Sequence, residues 1–307
     1  MKQKNTTIIP VVIPFHNSDL LKNTIKSLSG ASKGTSNIEV TIVCSNCTDH
    51  YIRYAKNLLE DYKKFFKEVS LINEERPGKA RAINTAIKIK KLYAYPYIVV
   101  VCDDVVIDKN SIPAIITELE SNKTGSVFLK NKPIYKKNTI LAVVQKLHHD
   151  IFYKYENYYL TGRAFGFKTS ILRKFPESIV SEDLYLHLKT LNKNKKVVCI
   201  NTKHVAYKKP TTWTDYLRMI KRYDYSFRQI RQKYPTLFNK YISKESKTKI
   251  DKLKELSCWN KDIKQKFIIK FVYSLVIIYQ ALIVPLGYRT WSKKDLGHMV
   301  RESSTTI

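Results

Sequence analysis

Two carboxylates stand together at Asp103 and Asp104, directly after the apolar run "YIVVVC" (Tyr97 to Cys102). Adjacent acids at the end of a buried segment suit a hard divalent cation, Mg2+ or Mn2+. Such an ion takes carboxylate and water oxygens and commonly reaches protein through one or two carboxylates plus substrate phosphates. A second pair, Glu182 and Asp183 in "SEDLYL", is too distant in sequence to duplicate the first. One pair can hold metal while a member of the other takes a proton from a hydroxyl. The stretch "EERPGKARAIN" (Glu74 to Asn84) places Gly78, Lys79 and Arg81 at the start of a helical pattern. Free backbone amides and two cations there suit an anionic ligand. The G-x-x-x-x-G-K-[ST] spacing of a P-loop is absent. In "RMIKRYDY", Arg218 and Arg222 fall four apart on one helical face, a clamp for a diphosphate.

Such residues work only if the elements around them meet at one edge. "TIIPVVIPF", "NIEVTIVCSN", "VSLINE" and "YIVVVCDD" read as short buried strands. "LLKNTIKSL", "TDHYIRYAKNLLEDYKKFF" and "GKARAINTAIKIKKL" between them carry helical spacing, the second capped by Thr48 or Asp49. This alternation predicts an α/β fold: a mainly parallel central sheet flanked by helices. Ligands of such sheets bind outside the carboxyl ends of the strands, where Asp103 and Asp104 lie. Asp108 or Ser111 is better placed than either acid to cap the helix "SIPAIITELE".

Beyond residue 110 the regularity loosens. "SVFLK" predicts a strand and "KKNTILAVVQKLHHDIFYKYENYYL" a long aromatic helix, with His148 and His149 as surface or packing residues. "TGRAFGFKTSIL" reads as a Gly-spaced turn and strand, "SEDLYLHLKTL" as a short helix, and "KVVCIN" with "HVAYKK" as a strand pair. His204 reads either as a structural residue or as an added metal ligand. "TTWTDYLRMIKRYDYSFRQIRQKY" predicts a basic, aromatic helix, and residues 242–266 a polar connection.

Lys and Arg number 55 against 26 Asp and Glu, a net charge of +29. The surplus fits an anionic partner or simply a solvated, lysine-rich surface. Nucleic acid is not the expected partner: the cations are scattered, and acids gather at the strand ends where phosphate would be repelled. A nucleotidyltransferase on a similar sheet would carry a Gly-rich N-terminal signature, and "PFHNSD" has no glycine. The five cysteines include one C-x-x-C, Cys44 and Cys47, without a second pair or His at ligand spacing, so neither zinc nor a disulfide framework is expected. The N-terminus does not read as a signal peptide. Residues 267–288 are the most apolar stretch, with 18 uncharged residues from Phe271 to Tyr288 flanked by basic residues on both sides. That length is near the lower limit for a spanning helix, and a helix in the membrane interface or a buried core helix fits too.

The blocks "IPVVIPFHNSDLLKNTIKSL", "IEVTIVCSNCTD", "ERPGKARAIN", "YIVVVCDDV", "TGRAFGF", "SEDLYL" and "RMIKRY" follow one another in the order of the family-two glycosyltransferases, which the chain resembles from about Ile8 to Tyr223. The resemblance implies an inverting enzyme of the A-type nucleotide-sugar-binding fold. It implies a nucleoside-diphosphate sugar donor, Mn2+ or Mg2+, and a glycan or lipid-linked acceptor. Pro14, His16 and Asn17 are implied in the nucleotide pocket, with Asn46 closing over base and ribose. Ser45 and Asn46 stand where that block often carries an acid. The metal motif is usually Asp-x-Asp; Asp104 matches its last acid and Cys102 stands at its first, so Asp104 is the implied metal ligand and Asp103 a metal or ribose contact. Asp183, beside Glu182, matches the catalytic base, and Arg222 a cation for the leaving diphosphate. Gly162 and Gly166 either let an acceptor sugar approach the backbone or make a tight turn. The organisation expected is a glycosyltransferase domain over 1–210, a basic helical extension over 211–264, and a membrane-associated segment over 265–307 at the cytoplasmic face of the cell membrane.

Overall fold

The structure, a computed structural model, describes residues 8–31, 37–136, 139–146, 149, 162–241 and 271. The apolar stretch 267–288 apart from Phe271, the polar connection 242–266, the tyrosines of "YKYENYYL", His148 and Cys258 lie outside the described residues. Among the described residues no helix is long and apolar enough to cross a membrane.

Short, apolar and largely β-branched runs form the first strands; the interior ones are buried on both faces because helices cover a parallel sheet on each side, and the edge run Glu68–Glu74 is only partly buried. They are β1 (Ile9–Phe15), β2 (Ile38–Ser45), β3 (Glu68–Glu74) and β4 (Tyr97–Val101), alternating with helices α1 (Leu21–Ala31), α2 (Asp49–Tyr62) and α3 (Lys79–Ile89). Each helix turns one apolar stripe inward: Leu21, Ile25 and Leu28 on α1, and Ala82, Ile83 and Ala86 on α3, are fully buried. After β4 come β5 (Val105–Ile107), α4 (Ser111–Glu120), β6 (Thr124–Ile134), β7 (Ala164–Lys168), α5 (Glu182–Asn192) and β8 (Lys196–Lys208).

The eight strands form one sheet in the order β3-β2-β1-β4-β7-β6-β8-β5. β3, β2, β1 and β4 run parallel, β7 is antiparallel to both its neighbours, and β6 pairs β8 in parallel. The chain runs outward from β1 to β3 and then returns to β1's other side with β4. That reversal makes the gap between β1 and β4 the switch point where open α/β sheets bind ligands. The β1–β4 ladder covers only Val11–Val99 and Val12–Val100. Pro14, buried within β1 opposite Val43, has no N–H to extend it, so the two strands part at their carboxyl ends.

Three local readings need correction. "KVVCIN" and "HVAYKK" are not separate strands but one, β8, whose register on β6 jumps from Ile200 to His204. The intervening polar residues bulge, which is why they read as a break. The N-cap position of α4 falls on Asn110 at φ 60, whose side chain makes no capping bond, and not on Asp108 or Ser111, because "VVI" pairs with β8 as β5 and Ser111 Oγ turns back to the Asp108 carbonyl at 2.6 Å. Gly166 makes no turn. It lies on β7 under α4, where a Cβ would come within 2.5 Å of Ile115 Cγ2, so glycine there lets helix and sheet close.

Chain contacts divide the protein into two units, Met1–Ile134 with Tyr159–Lys208, and Tyr135–Tyr158 with Lys209–Ile307. The second holds α6 (Trp213–Lys233), α7 (Pro235–Tyr241) and a helical stretch over 140–146. Leu141 and Val144 of that stretch pack on Tyr216 and Ile220 of α6. Thr212 caps α6 by accepting from the Asp215 amide at 3.2 Å. Arg218 pairs with Asp215 at 3.4 Å, and Arg222 is a partly buried residue of α6.

Candidate active site

At the switch point the residues after β1 and β4 touch: the His16 amide donates to Asp103 Oδ2 at 3.0 Å. The turn carrying both acids is held from below by α1. Thr24 Oγ1 donates to the Val105 carbonyl at 2.7 Å and accepts from its amide at 3.1 Å, and Ser27 Oγ accepts from the Ile107 amide at 3.2 Å. Desolvation, reinforced by the charge of Asp104, pushes the Asp103 carboxyl up to about 7. Two adjacent carboxylates, one of them pushed up by desolvation and by its neighbour's charge, fit a divalent cation. Among the described residues no three acidic, His or Cys side chains converge on one point. An ion here would therefore hold to the protein through Asp104 and Asp103 and take its remaining ligands from phosphate and water.

The same edge is completed by β7, which is antiparallel and so brings its first residues beside the end of β4. The Cys102 amide donates to the Arg163 carbonyl at 2.8 Å. Arg163 stacks its guanidinium 3.3 Å from the centre of the Tyr207 ring and lies 3.8 Å from Asp104 Oδ2. Next to it, Gly162 faces the second acidic pair: a Cβ there would stand 2.8 Å from Asp183 Oδ2 and 2.9 Å from Glu182 Oε1. Both pairs thus flank one two-residue turn, Gly162–Arg163.

Glu182 and Asp183 open α5. Asp183 Oδ1 accepts from the Ser181 hydroxyl and, at 2.8 Å, from the Leu184 amide. Glu182 is buried and pairs with Lys79 at 2.6 Å; burial raises its carboxyl, with Lys79 opposing. His187, one turn further on, is 5% exposed, and burial pulls its imidazole down from 6.5 to about 4. The unfolded chain takes up this proton first as the pH falls. The native state therefore loses stability from 6.5 down to about 4, by roughly 3 kcal/mol below both values. His187→Gln is expected to remove that slope. In urea unfolding, the free-energy gap between variant and wild type should narrow by about that amount between pH 7 and 4. A gap constant with pH would overturn the assignment.

The other expected residues are placed as follows. Asn17, at φ 45, accepts from the Thr48 amide at 3.1 Å and so steadies the start of α2. Asn46, at φ 53, follows β2 with its amide on the Glu74 carbonyl at 2.6 Å. His16 Nδ1 meets the Ser45 carbonyl at 2.7 Å. Arg81 lies 3.8 Å from Glu177, and its buried Nε has no hydrogen-bond partner. His204 pairs with Asp108 at 3.0 Å on the β5–β8 side, the structural alternative of its two readings.

Several organising residues escaped sequence reasoning. Ser45 Oγ donates to the Arg76 carbonyl and accepts from the Gly78 amide, both at 3.1 Å, shaping the turn in which Gly78 takes φ 130. Asn84 brackets Phe175, donating to its carbonyl and accepting from its amide at 2.8 Å, and so ties α3 to the loop leading to Ser181. Its one signal is an amide at the edge of the apolar stripe of α3, between Ala80 and Ile87. Among the described residues, Cys44, Cys47, Cys102 and Cys199 are not joined in disulfides. Cys47 is held down to about 5 because its sulfur accepts hydrogen bonds from Cys44 and from His16, against the opposing effect of burial.

Residues 11–175 match the model of glycosyl transferase family 2. No curated protein matches by sequence. Among solved structures, the mannosyltransferase PcManGT from Pyrobaculum calidifontis, in complex with GDP-Man and Mn2+, superposes with a TM-score of 0.61 at 17% identity, over 96% of this chain and 85% of that one. TarS 1-349 from S. aureus superposes at 0.51 with 15% identity, over 82% and 78%; its complex with UDP-GlcNAc gives 0.51 and 14%, over 82% and 79%. At these identities the likeness speaks for the fold, and it agrees with a sheet that opens between β1 and β4. With the family model spanning the strands that carry His16, Asp103, Asp104 and Arg163, the chain belongs to glycosyl transferase family 2.

Proposed function

We propose that this glycosyltransferase is inverting and metal-dependent, moving a sugar from a nucleoside-diphosphate sugar to an acceptor hydroxyl in cell-surface glycan or glycolipid synthesis. One observation carries the reading: Arg163 approaches Asp104 at 3.8 Å while Gly162, its neighbour, packs against Asp183. A metal-holding carboxylate and a proton-accepting one then share a single cleft wall. Asp104 and Asp103 would hold a cation, whose charge would neutralise the leaving diphosphate. Asp183 has Oδ1 fixed by Ser181 and Leu184, which leaves Oδ2 to take the acceptor proton. The freed oxygen attacks the anomeric carbon from the face opposite the diphosphate, and in-line attack inverts that centre.

The donor base is open to either class, since Ser45 uses its hydroxyl to hold the 76–78 turn. A panel of UDP- and GDP-sugars with Mn2+ or Mg2+ tests the reading. One donor class should raise the melting temperature and yield free nucleoside diphosphate, both effects vanishing in chelator. A panel that gives neither stabilisation nor release overturns it.

The site of action belongs to the same proposal: the cytoplasmic face of the cell membrane, supported by the net charge of +29 and the apolar run 267–288. Deleting 265–307 is expected to move the protein from the membrane pellet to the supernatant. Unchanged sedimentation rejects that part alone.

A further inference from the structure

Lys79 opens α3, the end of a helix where the macrodipole disfavours a cation. Its side chain nonetheless turns inward, 18% exposed, onto a carboxylate that is 4% exposed. An ammonium has three donors and no acceptor. All three are engaged: Glu182 Oε1 at 2.6 Å, the Gly162 carbonyl, and Cys102 Sγ at 3.2 Å. The Phe165 ring, its centroid 5.6 Å away, closes one side. Nothing of this group is left over for a phosphate. Each of its partners is the chain neighbour of a residue in the cleft: Glu182 of Asp183, Gly162 of Arg163, Cys102 of Asp103. The three come from separate elements, the start of α5, the turn before β7 and the end of β4, which share no local sequence to set their spacing. The Cys102 thiol also donates to the Gly162 carbonyl at 3.2 Å, so the cluster closes on itself around the ammonium.

We infer that Lys79 is a positioning residue rather than a ligand of the donor diphosphate: one cation beneath the cleft sets the spacing between the metal-side acids and the proton-accepting acid. The inference rests on the reading of Asp183 as base and Asp104 as metal ligand. Displacing a reacting group by an ångström costs turnover far more than binding. The signature of losing Lys79 is therefore a fall in turnover with nucleotide affinity kept. A diphosphate ligand would show the reverse, a weakened nucleotide.

The test uses the full chain. Lys79→Met leaves Glu182 buried and unpaired and can fail to fold, so Lys79→Met/Glu182→Met, which removes both charges, is made beside it. UDP and GDP, each with Mn2+, are titrated by calorimetry, and turnover is followed with the donor the panel identifies. In whichever variant folds, kcat is expected to fall by roughly fiftyfold or more, with the nucleotide Kd and donor KM within about threefold of wild type. A Kd weakened by about tenfold or more in either variant assigns Lys79 to the ligand and overturns the inference. Wild-type turnover in the double variant overturns it too, because the pair then positions nothing. Failure of the underlying reading looks different: Asp183→Asn would turn over like wild type, whatever the Lys79 variants do.

Discussion

Asp183→Asn is expected to lower release of nucleoside diphosphate by about 10³-fold while nucleotide affinity stays within about threefold of wild type. The substitution keeps the shape of the side chain and an Oδ1 that can still accept from the Leu184 amide, now at 2.8 Å from Asp183. What it removes is the capacity to bind a proton at the second oxygen, beside Gly162. General-base catalysis is worth about 10² to 10⁴ in rate, and the acceptor hydroxyl has no other carboxylate of the pair to turn to. Glu182 is buried and held by Lys79 at 2.6 Å, so it cannot rotate out without stripping that ammonium of its counter-charge. Asp183→Ala should give the same floor, since the group, not its shape, is at issue. If Asp183→Asn keeps a tenth or more of wild-type turnover, the base lies elsewhere.

The parallel half of the sheet was legible because its signals are local. The apolar runs of β1 to β4 and the helical stripes between them lie within a few residues of one another, and the two acids stand visibly at the end of one such run. The antiparallel half was not legible. The direction of β7 depends on where the chain returns after 134, and no residue in "AFGFK" encodes it. The polar end of β6, Lys130 to Ile134, reads as loop until β8 supplies its partner. The site divides in the same way. Asp104 and Asp183 stand out as candidates by residue type and by the family resemblance, but what joins their segments was hidden by sequence distance: Lys79 meets Glu182 across 103 positions and Asn84 meets Phe175 across 91. A lysine at a helix start, read alone, points to an anionic ligand. Only the fold shows that its anion is a carboxylate of the same chain.

Asp104→Asn is expected to cost turnover about as much, roughly 10³-fold, by removing the charge that holds the cation. The side chain sits at the end of a turn pinned by Thr24 and Ser27, so an isosteric change leaves the fold in place. In wild type, desolvation and the charge of Asp104 push the Asp103 carboxyl up to about 7. Asp104 and Asp103 would hold a divalent ion here, and its charge would favour the ionised form of Asp103. With the Asp104 charge gone, Asp103 alone would be left to hold the ion, beside the Arg163 guanidinium that lies 3.8 Å from the residue-104 side chain. Magnitude alone does not separate loss of metal from general damage, but non-additivity does. Chelator should reduce wild-type turnover to about the level of Asp104→Asn, yet leave the variant within about twofold of its own value, because both treatments remove one and the same interaction. Excess Mn2+ should restore part of the variant's activity by mass action and restore none to Asp183→Asn. If chelator instead lowers Asp104→Asn by the same factor as wild type, the cation is held by other groups and Asp104 serves the cleft in some other way.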